Sequence, residues 1–524
     1  MADRSQTDPV RMEKIVSLCK RRGIIFQSAE IYGGLNGCWD YGPLGVELKR
    51  NLKEYWWRCN VQERGDVLGM DGSILTHNSV LVASGHVGGF SDPMCDCLLS
   101  KERLRADQIP AQSGLACWYE GARKPDGSWS SSKAFAMLVP SEKEMKTARR
   151  GARQYYARLA GKETQPGEIE LLGERVEEVV DSTRFNPANG SLLTEAREFN
   201  LMFRTTIGAA SDENDPSAIG WLRPETAQSI FCQYRNILES SRARLPFGIA
   251  QIGKSFRNEI NPRNFTFRSR EFEQMEIEYF CREEDGLRLT DDWLEARLAF
   301  YENIGIPRHK IHVLDVPDGE RAFYSKKTYD LEYEFPFGVQ ELEGIAYRTD
   351  YDLRRHQECS GKTMEYFDEG TRERFLPHVV EPSAGCDRTV LALICEAFDE
   401  EELGRDGKSD VRTVLHFHPR MAPIKAAVFP LLKKNAEQVR IAHEIERTLR
   451  PWMNVFYDEA GAVGRRYRRQ DEVGTPFCIT VDFETLGEGS GEFKDTVTVR
   501  HRDSMEQERL SIGELLHWLV RRVR

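Results

Sequence analysis

Phe247-Gly-Ile-Ala-Gln-Ile-Gly-Lys-Ser-Phe-Arg-Asn-Glu-Ile-Asn-Pro-Arg-Asn-Phe-Thr-Phe-Arg-Ser-Arg270-Glu-Phe-Glu-Gln-Met-Glu-Ile-Glu-Tyr-Phe280 is the stretch on which the reading of this chain turns. Extended runs on either side of Asn261-Pro262-Arg263-Asn264 predict two antiparallel strands joined by a loop. Side chains on a strand alternate faces, so Arg257 and Glu259 are expected on one face of the first strand, and Phe272, Gln274 and Glu276 on one face of the second. Arg268 and Arg270 add positive charge at the loop edge. A structural sheet could hold one such residue by chance. A run of cation, aromatic plate and carboxylates on one face is costly to bury without a ligand, and a phosphorylated aromatic ligand is the simplest account. The same stretch contains Gly248 to Ser255, which fits the phosphate-cradling pattern G-x-x-x-x-G-K-[ST]. That pattern needs a turn and a following helix, whereas Ile249 and Ile252 sit inside it and the residues beyond are extended, so the match is read as accidental.

Downstream, Val379-Val380-Glu381-Pro382-Ser383-Ala384-Gly385-Cys386-Asp387-Arg388 predicts a strand, a small-residue turn and a helix from Thr389 to Phe398. This places Arg388 at a helix N-terminus, where backbone N–H groups favour anions; alone it would read as a capped helix with a surface arginine. Upstream, Asp8 and Pro9 open a helix that Gly23 stops. A second helix follows Gly42 and Pro43, with Leu44, Leu48, Leu52 and Tyr55 as its apolar stripe, most simply a core-facing one. From about residue 100 to 185 the composition turns polar, as expected of an insertion, which divides a main domain into residues 1–99 and 186–405. Gly404 to Asp410 reads as a linker into a small mixed α/β domain over residues 411–524, with strands at Val411 to His416, Pro476 to Phe483 and Thr496 to Arg500 and helices at Ala436 to Leu449 and Ser511 to Val520.

The chain has 524 residues, 40% hydrophobic and 30% charged, the balance of a multidomain globular protein. No apolar run approaches the roughly 18 residues of a membrane span, and Met1 to Val10 shows no leader pattern, so a cytoplasmic location is the default expectation. The twelve cysteines are sparse and mostly in apolar stretches, as Cys19, Cys232 and Cys395 are, and read as reduced thiols. A net charge of -11 argues against a generic polyanion binder. Residues 411–524 nevertheless carry 19 Lys and Arg against 16 Asp and Glu, so local basic patches are where a nucleic acid could be met.

The Gly42 to Trp57 helix, the Arg257-Asn-Glu and Arg270-Glu-Phe hairpin and the Gly385 to Arg388 turn, in this order, resemble the three signature motifs of class II aminoacyl-tRNA synthetases. Trp39-Asp-Tyr-Gly-Pro-Leu-Gly45, Ala83 to Asp92, Leu222-Arg-Pro-Glu-Thr-Ala-Gln228, Arg268 to Glu276 and Gly464 to Glu472 narrow the resemblance to the homodimeric glycyl-tRNA synthetases. The implied fold is α+β: an antiparallel sheet flanked by helices, with an inserted domain and a C-terminal anticodon-binding domain. The implied activity is ATP-dependent attachment of glycine to tRNA(Gly) through a glycyl-adenylate.

Carried onto this sequence, the resemblance gives catalytic roles to Arg257, Glu259 and Arg388, with Arg257 on the α-phosphate and Arg388 on the γ-phosphate of ATP. It implies an ATP site of Arg257, Asn258, Glu259, Phe267, Arg268, Arg270, Glu271, Phe272, Glu341, Leu342 and Arg388, Phe272 stacking on adenine and Glu341 helping to hold Mg²⁺. It implies a glycine site of Arg105, Glu225, Phe272, Glu273, Gln274, Met275, Glu276, Arg348, Glu381, Ser383 and Gly385. Glu225, Glu276 and Glu381 would surround the ammonium, and Arg348 would face the carboxylate. Glycine offers only its charged ends to grip. One extra methyl is worth only about 1 to 3 kcal/mol in a permissive pocket, so rejecting alanine requires crowding over Cα. Arg465, Arg466, Tyr467, Arg468 and Arg469 are the implied tRNA contacts; as bare sequence they equally fit a solvated turn. Relatives often begin and end the insertion with zinc-knuckle cysteine pairs, whereas here the positions read Cys97-Leu-Leu-Ser100 and Asn186-Pro-Ala-Asn189, so no structural zinc is expected. Two rivals stand beside this reading. A non-catalytic accessory subunit of the same family would lose the ATP arginines, and a P-loop nucleotidase would depend on Lys254.

Overall fold

The computed structural model describes residues 7–208, 218–404 and 410–524. Most of the expected linker at Gly404 to Asp410, and Met1 to Gln6 of the N-terminal stretch, lie outside the described residues. The chain forms two compact units, Gly85–Met202 and the remainder, so the inserted unit is wider at both ends than the composition change suggests.

In the larger unit, α1 (Pro9–Arg22) starts at Asp8, whose side chain accepts from the Arg11 N–H, and stops at Gly23 in the left-handed region. α2 (Pro43–Trp57) buries Leu48, Leu52 and Trp56. A seven-stranded sheet contains β1 (Val67–Gly69), β2 (Phe247–Phe256), β3 (Glu271–Cys281), β4 (Ile311–Asp315), β5 (Lys327–Phe335), β6 (Gly338–Thr349) and β7 (His378–Gly385) in the order β4-β5-β6-β7-β3-β2-β1. All neighbours are antiparallel except β1, which runs parallel to β2 at the edge.

The two-residue period of β3 divides the sheet. Met275, Ile277 and Tyr279 join a core with α1, α2, α4 (Gly286–Asn303) and α6 (Cys386–Ala397). Phe280, on the other face, packs with α3 (Ala227–Ser241) and with Leu353 of α5 (Tyr351–Ser360). Met275 therefore points into the core and not toward the face of Gln274 and Glu276, which corrects its expected place in the glycine site.

Two local expectations are also corrected. β2 ends at Phe256, so Arg257 and Glu259 belong to a loop of residues 257–270 with a 3₁₀ turn at Phe265–Phe267, not to strand alternation. Pro382 to Gly385 continue β7, and the helix begins at Cys386 instead of Thr389.

The C-terminal part holds β8 (Ala426–Pro430), β9 (Val455–Tyr457), β10 (Phe477–Val481), β11 (Thr496–His501) and β12 (Gln507–Ser511) in the order β9-β8-β10-β11-β12. α7 (Ala436–Leu449) and α9 (Ile512–Val523) share one core with this sheet, while α8 (Val463–Val473) packs Val463 and Tyr467 onto Ala427, Phe429 and Cys478. The basic run at Arg465 to Arg469 is thus helical, not a turn.

In the inserted unit, the helix Met145–Ala160 packs on a three-stranded sheet. Cys97, buried there, accepts from the Ser100 N–H at 3.3 Å and from Asn189 Nδ2 at 3.6 Å. These hydrogen bonds, with others from Ser100 and Asn186, hold its thiol below the usual range despite burial.

The larger core also contains a buried ion pair. Arg297 Nε donates to Glu343 Oε1 at 2.6 Å and Tyr301 donates to Glu343 Oε2 at 2.7 Å, with both charged side chains 1% exposed. Arg297→Met strands Glu343 among apolar residues, so the variant is expected to lose about 3–5 kcal/mol of stability, read as a lowered denaturant midpoint.

Candidate active site

The face of the sheet opposite the core carries one cavity of about 380 Å³. Register builds its floor: Glu276, Ser383, Gly344 and Asp330 lie directly across from one another on β3, β7, β6 and β5, and the buried Gln251 of β2 continues the row beyond the lining. The neighbouring rows bring Gln274 opposite Gly385, and Glu381 opposite Ala346. Gly344 leaves a hollow in this floor, since a Cβ there would lie 3.8 Å from Asp330 Oδ1 and 4.0 Å from Glu341 Oε1.

Of the expected residues, Arg257, Glu259, Phe267, Arg268, Phe272, Glu341, Leu342 and Arg388 line the cavity. So do Glu225, Glu273, Gln274, Glu276, Glu381, Ser383 and Gly385. Arg257 and Arg388 each lie over an aromatic ring, 5.4 Å from the centre of Phe272 and 4.5 Å from that of Phe267. Arg388 Nη1 is also 3.2 Å from Glu341 Oε2.

Several expected residues are not among those lining the cavity. Asn258 is not in the lining, and Arg270 donates to the Glu259 and Asn36 carbonyls, bracing the loop. Glu271 is exposed and pairs with Lys254, which gives the P-loop lysine a carboxylate partner on an unbroken strand. Arg105 belongs to the inserted unit, where Asp92 and Asp107 hold it at 3.2 and 2.7 Å.

Arg348 is 2% exposed and stands behind the lining, donating twice to Asp352 and once, at 2.7 Å, to Glu381 Oε2. It therefore fixes Glu381. Glu225 is held by Gln228 at 3.0 Å, which His356 and Asp352 orient in turn. Glu276 accepts from Thr226 and, at 2.7 Å, from Ser383.

Burial raises the carboxyls of Glu276 and Glu381, and each is raised further by its acidic neighbours; for Glu381 these effects outweigh the opposing charge of Arg348. Asp330 is pushed up to about 7 by burial and by Glu341 and Glu332. The result is an acidic cup that favours a bound cation or protons.

Sequence reasoning missed Asp330, Tyr324 and Glu278. Tyr324 lies 4.0 Å from the Arg348 guanidinium in a segment without a readable pattern. Glu278 was legible, since it continues the alternation of Phe272, Gln274 and Glu276. It is fully buried, its ligand oxygens lie within 4.8 Å of those of Glu276 and Glu381, and among the described residues neither of its oxygens has a hydrogen-bond partner.

On α8, Arg466 is buried and donates to the Pro430 and Gly461 carbonyls, and Tyr467 bonds Thr480. Arg468 and Arg469 pair with Asp410 and Asp458, and Arg465 is exposed. Only part of the expected basic tract therefore faces solvent.

Residues 209–398 match the tRNA synthetase class II core domain (G, H, P, S and T), and residues 425–522 match an anticodon binding domain, so the sheet and its cavity are those of a class II tRNA synthetase. Near-full-length relatives narrow this. The chain is 47% identical to a glycine–tRNA ligase of Clostridium perfringens over 96% of this chain and 97% of the relative. It is 44% identical to that of Rhodopirellula baltica over 98% and 99%, and 45% identical to that of Clostridium acetobutylicum over 99% and 100%. The chain belongs to the glycine–tRNA ligase family.

Burial and the nearby Glu381 hold the Glu278 carboxyl well above the usual carboxylate range. An acid raised on folding destabilises the fold once pH exceeds its unfolded value, near 4.3 for a glutamate. Glu278→Gln is expected to unfold at a higher denaturant concentration than the parent at pH 8, with the difference closing toward pH 4. A gap independent of pH would refute this.

Proposed function

We propose that this protein attaches glycine to tRNA(Gly) at the expense of ATP, through a glycyl-adenylate. One observation carries the reading: a single cavity joins two arginines and two aromatic rings to an acidic cup. The first part suits a nucleotide and its phosphates. The second suits an ammonium with no side chain beyond it.

Activation is in-line attack of the glycine carboxylate on the α-phosphate, with pyrophosphate leaving. No side-chain nucleophile is required, and catalysis is positioning and charge neutralisation. Arg257 serves the α-phosphate and Arg388 the terminal phosphates, each lying over its own aromatic ring. Glu225, Glu276 and Glu381 receive the ammonium. Arg348 acts through Glu381, holding it in place. Ser383, bonded to Glu276, fills the space beside Cα that a larger amino acid would need. Transfer of glycyl to the tRNA 3′ end completes the reaction.

Glu341 and Asp330 offer hard oxygen donors around the Gly344 hollow, which fits the Mg²⁺ that accompanies ATP. Bound there, the ion would neutralise phosphate charge. In the C-terminal domain, the exposed Arg465 and the partly exposed Arg468 are the basic groups of α8 offered to tRNA.

The catalytic reading is tested by ATP–pyrophosphate exchange against all twenty amino acids. Glycine alone, without alanine, is expected to support exchange, and Arg257→Ala is expected to abolish it. Exchange with another amino acid, or its survival in the variant, would overturn the assignment.

The family resemblance further supports a homodimer. The donor set around Cys97 supports a metal-free insertion, since one thiol with amide and hydroxyl neighbours does not make a tetrahedral zinc site. Native mass spectrometry should show two chains and no zinc adduct; a monomer or bound zinc would remove the corresponding statement.

A further inference from the structure

The cavity's nucleotide end is braced by a charge cluster around the buried Asp387, with Lys49, Lys53 and Glu273 half-buried. Lys49 and Lys53 stand four residues apart on α2, one helical turn, and so share a face. Lys49 Nζ lies 2.7 Å from Asp387 Oδ1 and 3.1 Å from Glu273 Oε2, and Lys53 Nζ lies 2.9 Å from Glu273 Oε1. Tyr41 donates to Asp387 Oδ1 at 2.5 Å, and the Glu273 backbone N–H donates to Asp387 Oδ2 at 2.6 Å.

These partners adjoin the nucleotide groups along the chain. Asp387 precedes Arg388 in the first turn of α6, and Glu273 follows Phe272 on β3. The start of α6 is thereby pinned to β3 through one carboxylate, and Lys49 spans both carboxylates. Burial pulls this lysine toward its neutral form, but Asp387 and Glu273 outweigh that pull and raise its pKa above the usual lysine range. Lys49 in turn holds Asp387 ionised despite its burial. α2 is independently fixed on another side, where Asn51 Nδ2 donates to the Met421 and Ala422 carbonyls at 3.1 and 3.0 Å.

We propose that Lys49 is a positioning residue for ATP: from α2 it bridges Asp387 and Glu273 and so sets the separation of Arg388 and Phe272. The role rests on the nucleotide reading of the cavity. It is specific to the ATP end, because the ammonium cup is braced separately by Arg348, Gln228, Thr226 and Ser383. Without Lys49, Asp387 keeps Tyr41 and the Glu273 N–H and Glu273 keeps Lys53, but the cation that spans both carboxylates is gone, and their repulsion loosens the join between the start of α6 and β3.

The test is ATP–pyrophosphate exchange by the full-length parent, Lys49→Met, Lys49→Arg and Lys53→Met, titrating ATP and glycine separately, with thermal unfolding recorded in parallel. Lys49→Met is expected to raise KM for ATP about tenfold or lower kcat/KM for ATP as much, with KM for glycine within about twofold. Lys49→Arg keeps the charge in a different shape and should shift only the ATP parameters, about threefold. Lys53→Met, which leaves the Asp387 bridge intact, should change them less. If Lys49→Met does not fold, the split between ATP and glycine in Lys49→Arg decides the matter. Equal losses for both substrates, or unchanged kinetics in folded variants, overturn the proposal. A parent without glycine-dependent exchange overturns the functional reading and this role with it.

Discussion

Strand β3 buries both of its faces, and its two-residue period decides what each face is made of. Its odd residues from Met275 to Tyr279 fill the core beneath the sheet, and its even residues from Phe272 to Glu278 face the cavity or the acids behind it. Slipping this strand by one residue against β2 or β7 would drive Gln274 and Glu276 into an apolar core and expose Met275 and Ile277. The pairing cannot drift, so the lateral rows that place Glu276 beside Ser383 and Gly385 beside Gln274 are held to one arrangement.

Such a floor carries an electrostatic cost. Glu225, Glu276, Glu278 and Glu381 stand close together, and Arg348 is shared between Asp352 and Glu381. The excess negative charge is met by hydroxyl donors on Glu276, by an amide on Glu225 and by raised carboxyl pKa values. The remaining imbalance favours a cation or protons in the cup. The other end of the cavity has the opposite character: Arg257 and Arg388 lie over aromatic rings, and Arg388 also pairs with Glu341.

Much of this was legible from residue order. Helix starts at Asp8 and Pro43 and the stop at Gly23 follow from local chemistry, and α2, β2 and β3 emerge from periodicity alone. The P-loop pattern at Gly248 to Ser255 was rightly set aside, because its residues form a continuous strand. Legibility failed where a pattern stopped being local. Arg257 and Glu259 follow a strand that ends at Phe256, three residues short of the Glu259 that alternation implied, and they are placed by the loop's contacts with Arg270. The basic run at Arg465 to Arg469 has the composition of a solvent-facing patch, yet Arg466 is drawn inward by the Pro430 and Gly461 carbonyls.

By itself, then, the sequence determined the kinds of element, the residue types at the site and membership of the glycine–tRNA ligase family, because these depend on short-range periodicity and on motifs read in order. Tertiary structure alone decided which charged groups line the cavity and which brace others. Arg348 stands behind Glu381, and Lys49 reaches Asp387 across 338 residues of chain. Partner choice among buried charges is settled by register and helix packing, which bring distant residues within hydrogen-bonding distance and leave no trace in local spacing.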